Sequence, residues 1–305
     1  MTTIAPTPLT GDRPAADQRQ GITGLRPTRR RRLRHAATAL AAAVTMTGAL
    51  MCPAAASAAG GGLATAVGER LEYIAAAGDA NSVVVAGSLS YWVGDFVHTY
   101  VVVDDTKSIR AGAGCAHLSP NDSTMVQCHL VVPRYGVSLV IIRGGDGNDI
   151  IRNSAALHVD MVHMYGGSGD DRLYGDVRND RLWGDSGSDR LYAGPGSDGV
   201  YGGSGNDIMY AGAGEDRSYG NTGNDTIDGG TGIDFMSGGD GVDTMSGRAG
   251  NDDMYGNAGN ETLYGNEDRD SLDGGTGSNR LNGGAPDTAP GDRCVNGPTM
   301  SQCNP

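Results

Sequence analysis

Along residues 166–282 an apolar side chain recurs at every ninth position without insertion: Leu173, Leu182, Leu191, Val200, Met209, then Ile227, Met236, Met245, Met254, Leu263, Leu272 and Leu281, with Ser218 the one polar replacement. Self-similarity at a short fixed period marks a solenoid of stacked rungs. The thirteen units, plainest in Gly202 to Tyr210 (GGSGNDIMY) and Gly229 to Ser237 (GGTGIDFMS), each divide into a six-residue turn and a three-residue strand. Within that strand the apolar eighth residue points inward and its neighbours point out. One such row per sheet is a thin core, too thin by itself to offset the entropy of ordering so many glycines.

The flanks break this pattern. Between Leu63 and Arg143 glycine thins and β-branched runs appear at Ser82 to Ala86, Tyr100 to Val103 and Val137 to Ile142. With the turn signals between them they predict about six short strands. These form either a small β-sandwich or the irregular first rungs of the solenoid. The second is favoured because an open solenoid end needs a cap and the runs lead directly into a first motif, Gly144 to Arg152 (GGDGNDIIR). Asn153 to Tyr165 then break the nine-residue register, and the alternation of Leu157, Val159 and Met161 predicts one longer rung. After Asn282 the pattern decays through Gly283 to Pro286. The expected divisions are 1–58, 59–143, 144–284 and 285–305.

The first division reads as a secretory signal peptide: Arg29 to Arg34 (RRRRLR) is its cationic start, His35 to Met51 its Ala-rich apolar stretch, and Ala56-Ser57-Ala58 its cleavage site. The apolar run falls short of the ~20 residues of a spanning helix, so no stable membrane insertion is expected. Thr28-Arg29-Arg30 with Leu33 also approaches a twin-arginine signal, which leaves the export route open. Cys52 would leave with the leader. Cys115, Cys128, Cys294 and Cys303 then form an even set in an oxidising compartment. Local pairing, Cys115 with Cys128 and Cys294 with Cys303, is simplest because each pair brackets a short loop near one end of the array; free thiols are the alternative.

Charge sharpens the picture. Residues 1–59 hold 8 Arg against 2 acidic residues, leaving 15 basic and 34 acidic residues and a formal charge of −19 beyond them. Such a chain seeks cations and avoids nucleic acid and anionic lipid. Its acids are ordered too: the sixth position of the units carries Asp171, Asp180, Asp189, Asp198, Asp207, Asp216, Asp225, Asp234, Asp243, Asp252 and Asp270, with Glu261 and Asn279 as exceptions, and Asp149 holds the same place in the isolated first motif.

With glycine at the first, second and fourth positions, the unit resembles the G-G-x-G-x-D-x-U-x nonapeptide of the repeats-in-toxin (RTX), or hemolysin-type calcium-binding, family. That resemblance implies an all-β fold, a right-handed parallel β-roll with two units per turn. It places Asp171, Asp189, Asp207, Asp225 and Asp243 on one edge and Asp180, Asp198, Asp216, Asp234, Asp252 and Asp270 on the other. It also implies several bound Ca²⁺ ions, and the chemistry agrees. Carboxylates stacked at the ~4.8 Å spacing of adjacent strands repel, and a hard cation caged by carboxylate and carbonyl oxygens relieves them; Ca²⁺ tolerates such irregular cages where Mg²⁺ does not. Binding and folding are then one event. Weak or missing sites are expected near Arg178, Asp268, Ser218 and Asn279, where the unit departs from its pattern.

A second stripe fills the ninth position: Tyr174, Trp183, Tyr192, Tyr201, Tyr210, Tyr219, Tyr255 and Tyr264. Stacked two units apart, these rings either stabilise the roll surface or offer a platform to a cell-surface glycan or protein. Catalysis is not expected: no H-E-x-x-H or G-x-S-x-G occurs, and the segment ahead of the repeats is too short for the catalytic domains many RTX proteins carry. His98, His117, His129, His158 and His163 read as strand and surface residues. An N-terminal leader also departs from the family's toxins, which export through a C-terminal signal. The sequence therefore describes an extracellular, non-catalytic calcium-binding β-roll with a structural or adhesive use, or alternatively a carbohydrate-binding or adhesin module.

Overall fold

The structure is a computed structural model that describes residues 62–303, apart from 76–77, 79, 87–89, 94, 106, 108, 120–121, 134–137, 154–158, 285–290 and 302. The expected leader with Cys52, and Leu157 and His158 of the irregular rung, lie outside the described residues.

Two sheets carry the repeats, both parallel. Successive units alternate between them, so the chain returns to a given sheet every 18 residues: Leu182 pairs with Val200 and Val200 with Ser218 in the first sheet, Leu191 with Met209 and Met209 with Ile227 in the second. The expected longer rung is present. Met161–Ser168 pairs with Leu139–Asp146 as Met164 to Ile142, and Ile150–Asn153 pairs with Arg172–Tyr174 as Ile151 to Leu173, a step of 22 in each sheet. The same step recurs where Leu272 pairs with Cys294, so Arg293–Val295 and Thr299–Ser301 end the two sheets. Every eighth-position residue is buried, Ser218 included.

The strands exceed the three residues that the repeat suggests. Arg190–Pro195, Gly199–Ser204 and Ile208–Ala213 each run through positions seven to nine and on through positions one to three of the next unit. The cause is the glycine-rich backbone: second-position residues also pair across rungs, as Gly203 does with Asp185 and Gly212 with Gly194. That pairing demands positive φ, +114° at Gly203 and +119° at Gly212. A consequence is a second inward row at the first position, where Ala193 and Ala211 are fully buried beside the glycines.

Eight strands precede Leu139 among the described residues, where the pattern marks about six. Arg70–Ile74 runs parallel to Leu139–Asp146, and Gly62–Val67 and Ile109–Ala111 follow it in the first sheet. Ser82–Ala86 runs parallel to Ile150–Asn153, and the antiparallel strands Phe96–Asp104, Asp122–Pro133 and Cys115–Ser119 continue the second sheet. Disulfides join Cys115 to Cys128 and Cys294 to Cys303. The first links residues directly opposite each other on antiparallel strands, and the second ties the last strand of the first sheet, through buried Cys294, to the chain end.

Candidate metal centre

Each sixth-position acid closes its turn, and backbone geometry fixes one of its two oxygens. The amide of one such residue donates to the carboxylate of the residue a full turn on: Asp149 to Asp171 (2.7 Å), Asp171 to Asp189 (2.7 Å), Asp189 to Asp207 (2.8 Å), Asp207 to Asp225 (2.8 Å), Asp225 to Asp243 (2.8 Å) and Asp243 to Glu261 (2.7 Å). A second file runs from Asp180 to Asp198 (2.6 Å), then through Asp216, Asp234 and Asp252 to Asp270. The acids are thus gathered in two files as the resemblance implies, and all are at most 3 % exposed.

Two members escape sequence reading, and a third, Asn279, is the expected exception at the sixth position. Asn81 starts the first file, its amide donating to Asp149 at 2.6 Å across 68 residues. Asp292 extends the second, accepting from the Asp270 amide at 2.9 Å across a 22-residue step outside the nonapeptide register. Asn279 extends the first, with Oδ1 accepting from Glu261 at 2.9 Å. For Asn81 and Asp292 the available signal was burial alone, which the sequence hides.

The second oxygen decides the chemistry. In Asp149, Asp171, Asp189, Asp198, Asp207, Asp216, Asp225, Asp234, Asp243 and Asp252, Oδ2 is buried and accepts no hydrogen bond, as is Oε1 of Glu261. In most of the aspartate rungs what faces it is a first-position glycine and the carbonyl of the next rung, while Ala193 and Ala211 hold that position in the Asp198 and Asp216 units. A Cβ on Gly184 would fall 2.3 Å from Asp189 Oδ2 and 2.5 Å from Gly202 O; on Gly220 it would fall 2.3 Å from Asp225 Oδ2 and 2.4 Å from Gly238 O. At these glycines carboxylate and carbonyl oxygens converge, both acceptors, with no hydrogen bond to the carboxylate oxygen. Such an arrangement is costly when dry and suited to a hard cation.

Electrostatics agree. Burial, more than mutual repulsion, raises the acids: Asp171, Asp189, Asp225 and Asp252 reach about 7, Asp198 about 8, Asp149, Asp216 and Asp234 about 6, and Glu261 about 7. Neighbouring carboxylates add to this, while the amide donor to each pulls the other way. Like-charge repulsion is therefore the lesser penalty, because the carboxylates lie in a dry interior and not on an exposed edge. Among the described residues no three His, Cys, Asp or Glu side chains converge on one point, so an ion held here must draw most of its oxygens from the backbone.

Two further files accompany the acids. Fifth-position side chains accept from amides one turn on: Asn148 from Asp170, Asp170 from Ser188, Asn206 from Asn224 and Asn224 from Val242, all in exposed positions. These are backbone braces with ordinary partners. Ninth-position rings stack as the period suggests, Tyr174 on Tyr192 on Tyr210, and Trp183 on Tyr201 on Tyr219, with centroids 5.0 to 5.3 Å apart. Tyr165 joins the Trp183 ladder at 4.5 Å, and the guanidiniums of Arg143 and Arg152 cover the first rings, Tyr165 and Tyr174. Because the faces lie against one another, the ladders present ring edges to solvent, an arrangement that stabilises the roll and leaves inner rings little face on which a sugar could stack.

Parallel rungs of two units, an apolar inner row and two files of buried carboxylates at the turns define a β-roll of the metal-binding kind. The model of the RTX calcium-binding nonapeptide repeat matches residues 140–154, 165–200, 200–218, 219–254 and 255–285. This segment of the chain belongs to the RTX calcium-binding repeat family. No curated protein matches the chain.

Proposed function

We propose that the protein is an exported, non-catalytic calcium-binding module whose roll folds as extracellular Ca²⁺ fills the two carboxylate files, and that its use is structural or adhesive. The observation that carries this reading is the row of buried carboxylate oxygens that accept no hydrogen bond. Asp149, Asp171, Asp189, Asp207, Asp225 and Asp243 would hold ions along the first file, and Asp180, Asp198, Asp216, Asp234, Asp252 and Asp270 along the second, each with backbone carbonyls. Bound calcium would supply the positive charge that these oxygens lack. The chain's own part is to bury the carboxylates, fix one oxygen of each with an amide, and aim the other beside a carbonyl.

The arginine-rich leader with its cleavage site supports export, and the repeat family is one whose members act in calcium-rich surroundings. The strands of residues 62–133 would act as a cap, since they continue both sheets beyond the first repeat. A non-catalytic role rests on the absence of known hydrolytic motifs and on side chains committed to packing and ion files. Far-UV circular dichroism of the full chain during a CaCl₂ titration, with MgCl₂ as control, tests the reading. A cooperative coil-to-β transition specific to calcium is expected; a β-rich spectrum in chelator that calcium does not move would overturn it.

A further inference from the structure

Carboxylate oxygens face carbonyls along most of each file, but at particular rungs a nitrogen stands in that place. Asn279 holds the sixth position of its unit. Its Oδ1 accepts from the Glu261 amide, as an aspartate would, but its Nδ2 donates to Asn296 O at 2.9 Å and approaches Gly275 O at 3.3 Å. The built Cβ of first-position Gly274 would meet Asn279 Nδ2 and Asn296 O at 2.7 and 2.6 Å, where the same construction in acidic rungs meets two oxygens. The conflict between acceptors that elsewhere calls for a cation is thus settled by an N–H.

The other end of the file repeats the device. Asn81 Nδ2 donates to Asp149 Oδ1 at 3.1 Å and to the carbonyl of first-position Gly144 at 3.4 Å, the counterpart of Asn296 O one rung on. The second file begins differently. In the turn Gly175 to Asp180, Asp180 Oδ2 accepts from the Asp176 amide at 2.8 Å, and buried Asp176 is held by the amide of Arg178 at 3.0 Å and its guanidinium at 3.1 Å, but Asp180 Oδ1 stays buried without a hydrogen bond, as one oxygen does in the acidic rungs. Arg178 stands where the other units have a glycine, or Asp268, at positive φ, and it does not adopt positive φ itself.

We propose that these carboxamides, of Asn81 and Asn279, take the place of calcium and set where the first ion file stops. The roll therefore has ion-independent rungs at both ends of its first file. This inference rests on the calcium reading above and deepens it.

The test is calcium stoichiometry by isothermal titration of the full chain, with β content followed by circular dichroism. N279D replaces the donor with a second oxygen facing Asn296 O, and one more ion per chain than the parent is expected. A folded N279D with the parental ion count overturns the proposal. N279A removes the amide without adding charge; it should keep the parental ion count and lower the melting temperature equally at low and saturating calcium. If N279A loses an ion, Asn279 is a ligand and the proposal falls, whether or not N279D folds. A parent chain that binds no calcium would sink the underlying reading first and this inference with it, whereas a calcium-binding parent with an unchanged N279D sinks only the closure.

Discussion

Without calcium, protons are the natural counter-ions for the files. An aspartate with a value of 3.8 in the unfolded chain that is raised to about 7 by burial, as at Asp171, Asp189, Asp225 and Asp252, is protonated in the roll at a pH where the unfolded chain is ionised. Below 3.8 the folded state carries no penalty from it. Between 3.8 and 7 the penalty grows, and above 7 it is constant. At ~1.36 kcal/mol per pH unit, a rise of about 3 units is about 4 kcal/mol for each site. Even a third of that at four sites is about 5 kcal/mol, comparable to the ~5–15 kcal/mol that holds a typical domain together. The calcium-free chain should therefore gain β structure when acidified to about pH 4.5 and lose it as pH rises through about 6 to 8, while saturating calcium should flatten the profile. Far-UV circular dichroism in chelator from pH 4 to 8.5 reads this directly. A calcium-free chain as β-rich at pH 8 as at pH 4.5, or more so, would refute the argument that buried charge keeps the roll unfolded.

Other perturbations follow from particular contacts. D225N replaces one mid-file carboxylate with the group found at Asn279; titration should count fewer calcium ions, and the calcium-free form should be less sensitive to pH near 7. G205A places a Cβ 1.9 Å from Gly187 O at a φ of +122°, and the backbone strain alone costs about 1–3 kcal/mol; a lower melting temperature in saturating calcium is expected, and an unchanged one would mean the rungs separate easily. Ser218 is fully buried in the inward row with a hydroxyl that accepts and donates nothing, so S218V should stabilise the calcium-bound roll by about 1–3 kcal/mol in thermal melts. Y201S breaks two stacked contacts, with Trp183 and Tyr219, worth roughly 1–3 kcal/mol together; it should lower stability while leaving the calcium count intact.

The period made most of this legible. Because every unit repeats the same burial, the inward eighth residues and the sixth-position acids could be read from spacing, their division into two files and the aromatic stacks from the two units per turn that the family resemblance implies, and the local cysteine pairs from their positions at the ends. What escaped reading depends on the backbone or lies outside the period. Strand length could not be inferred because glycines, poor strand formers by composition, pair across rungs at positive φ, which also turns the first position inward. Asn81 and Asp292 join the files across steps of 68 and 22 residues, where no repeat announces them. The carboxylate penalty was expected from repulsion and arises mainly from burial, a property of the three-dimensional fold.

The amide of each file residue donates forward, to the carboxylate of the following rung and never to the preceding one. The roll consequently has a direction. Cut between two rungs, the N-terminal piece would end on a bare amide in each file and the C-terminal piece would begin on a bare carboxylate. The two broken faces are chemical opposites, so each is the natural partner of the other and a poor partner for itself. A chain divided at a turn such as Asn224 to Asp225 should reassemble from its halves by rejoining these faces, while neither half stacks on a copy of itself in the same orientation-blind way that a flat sheet edge does.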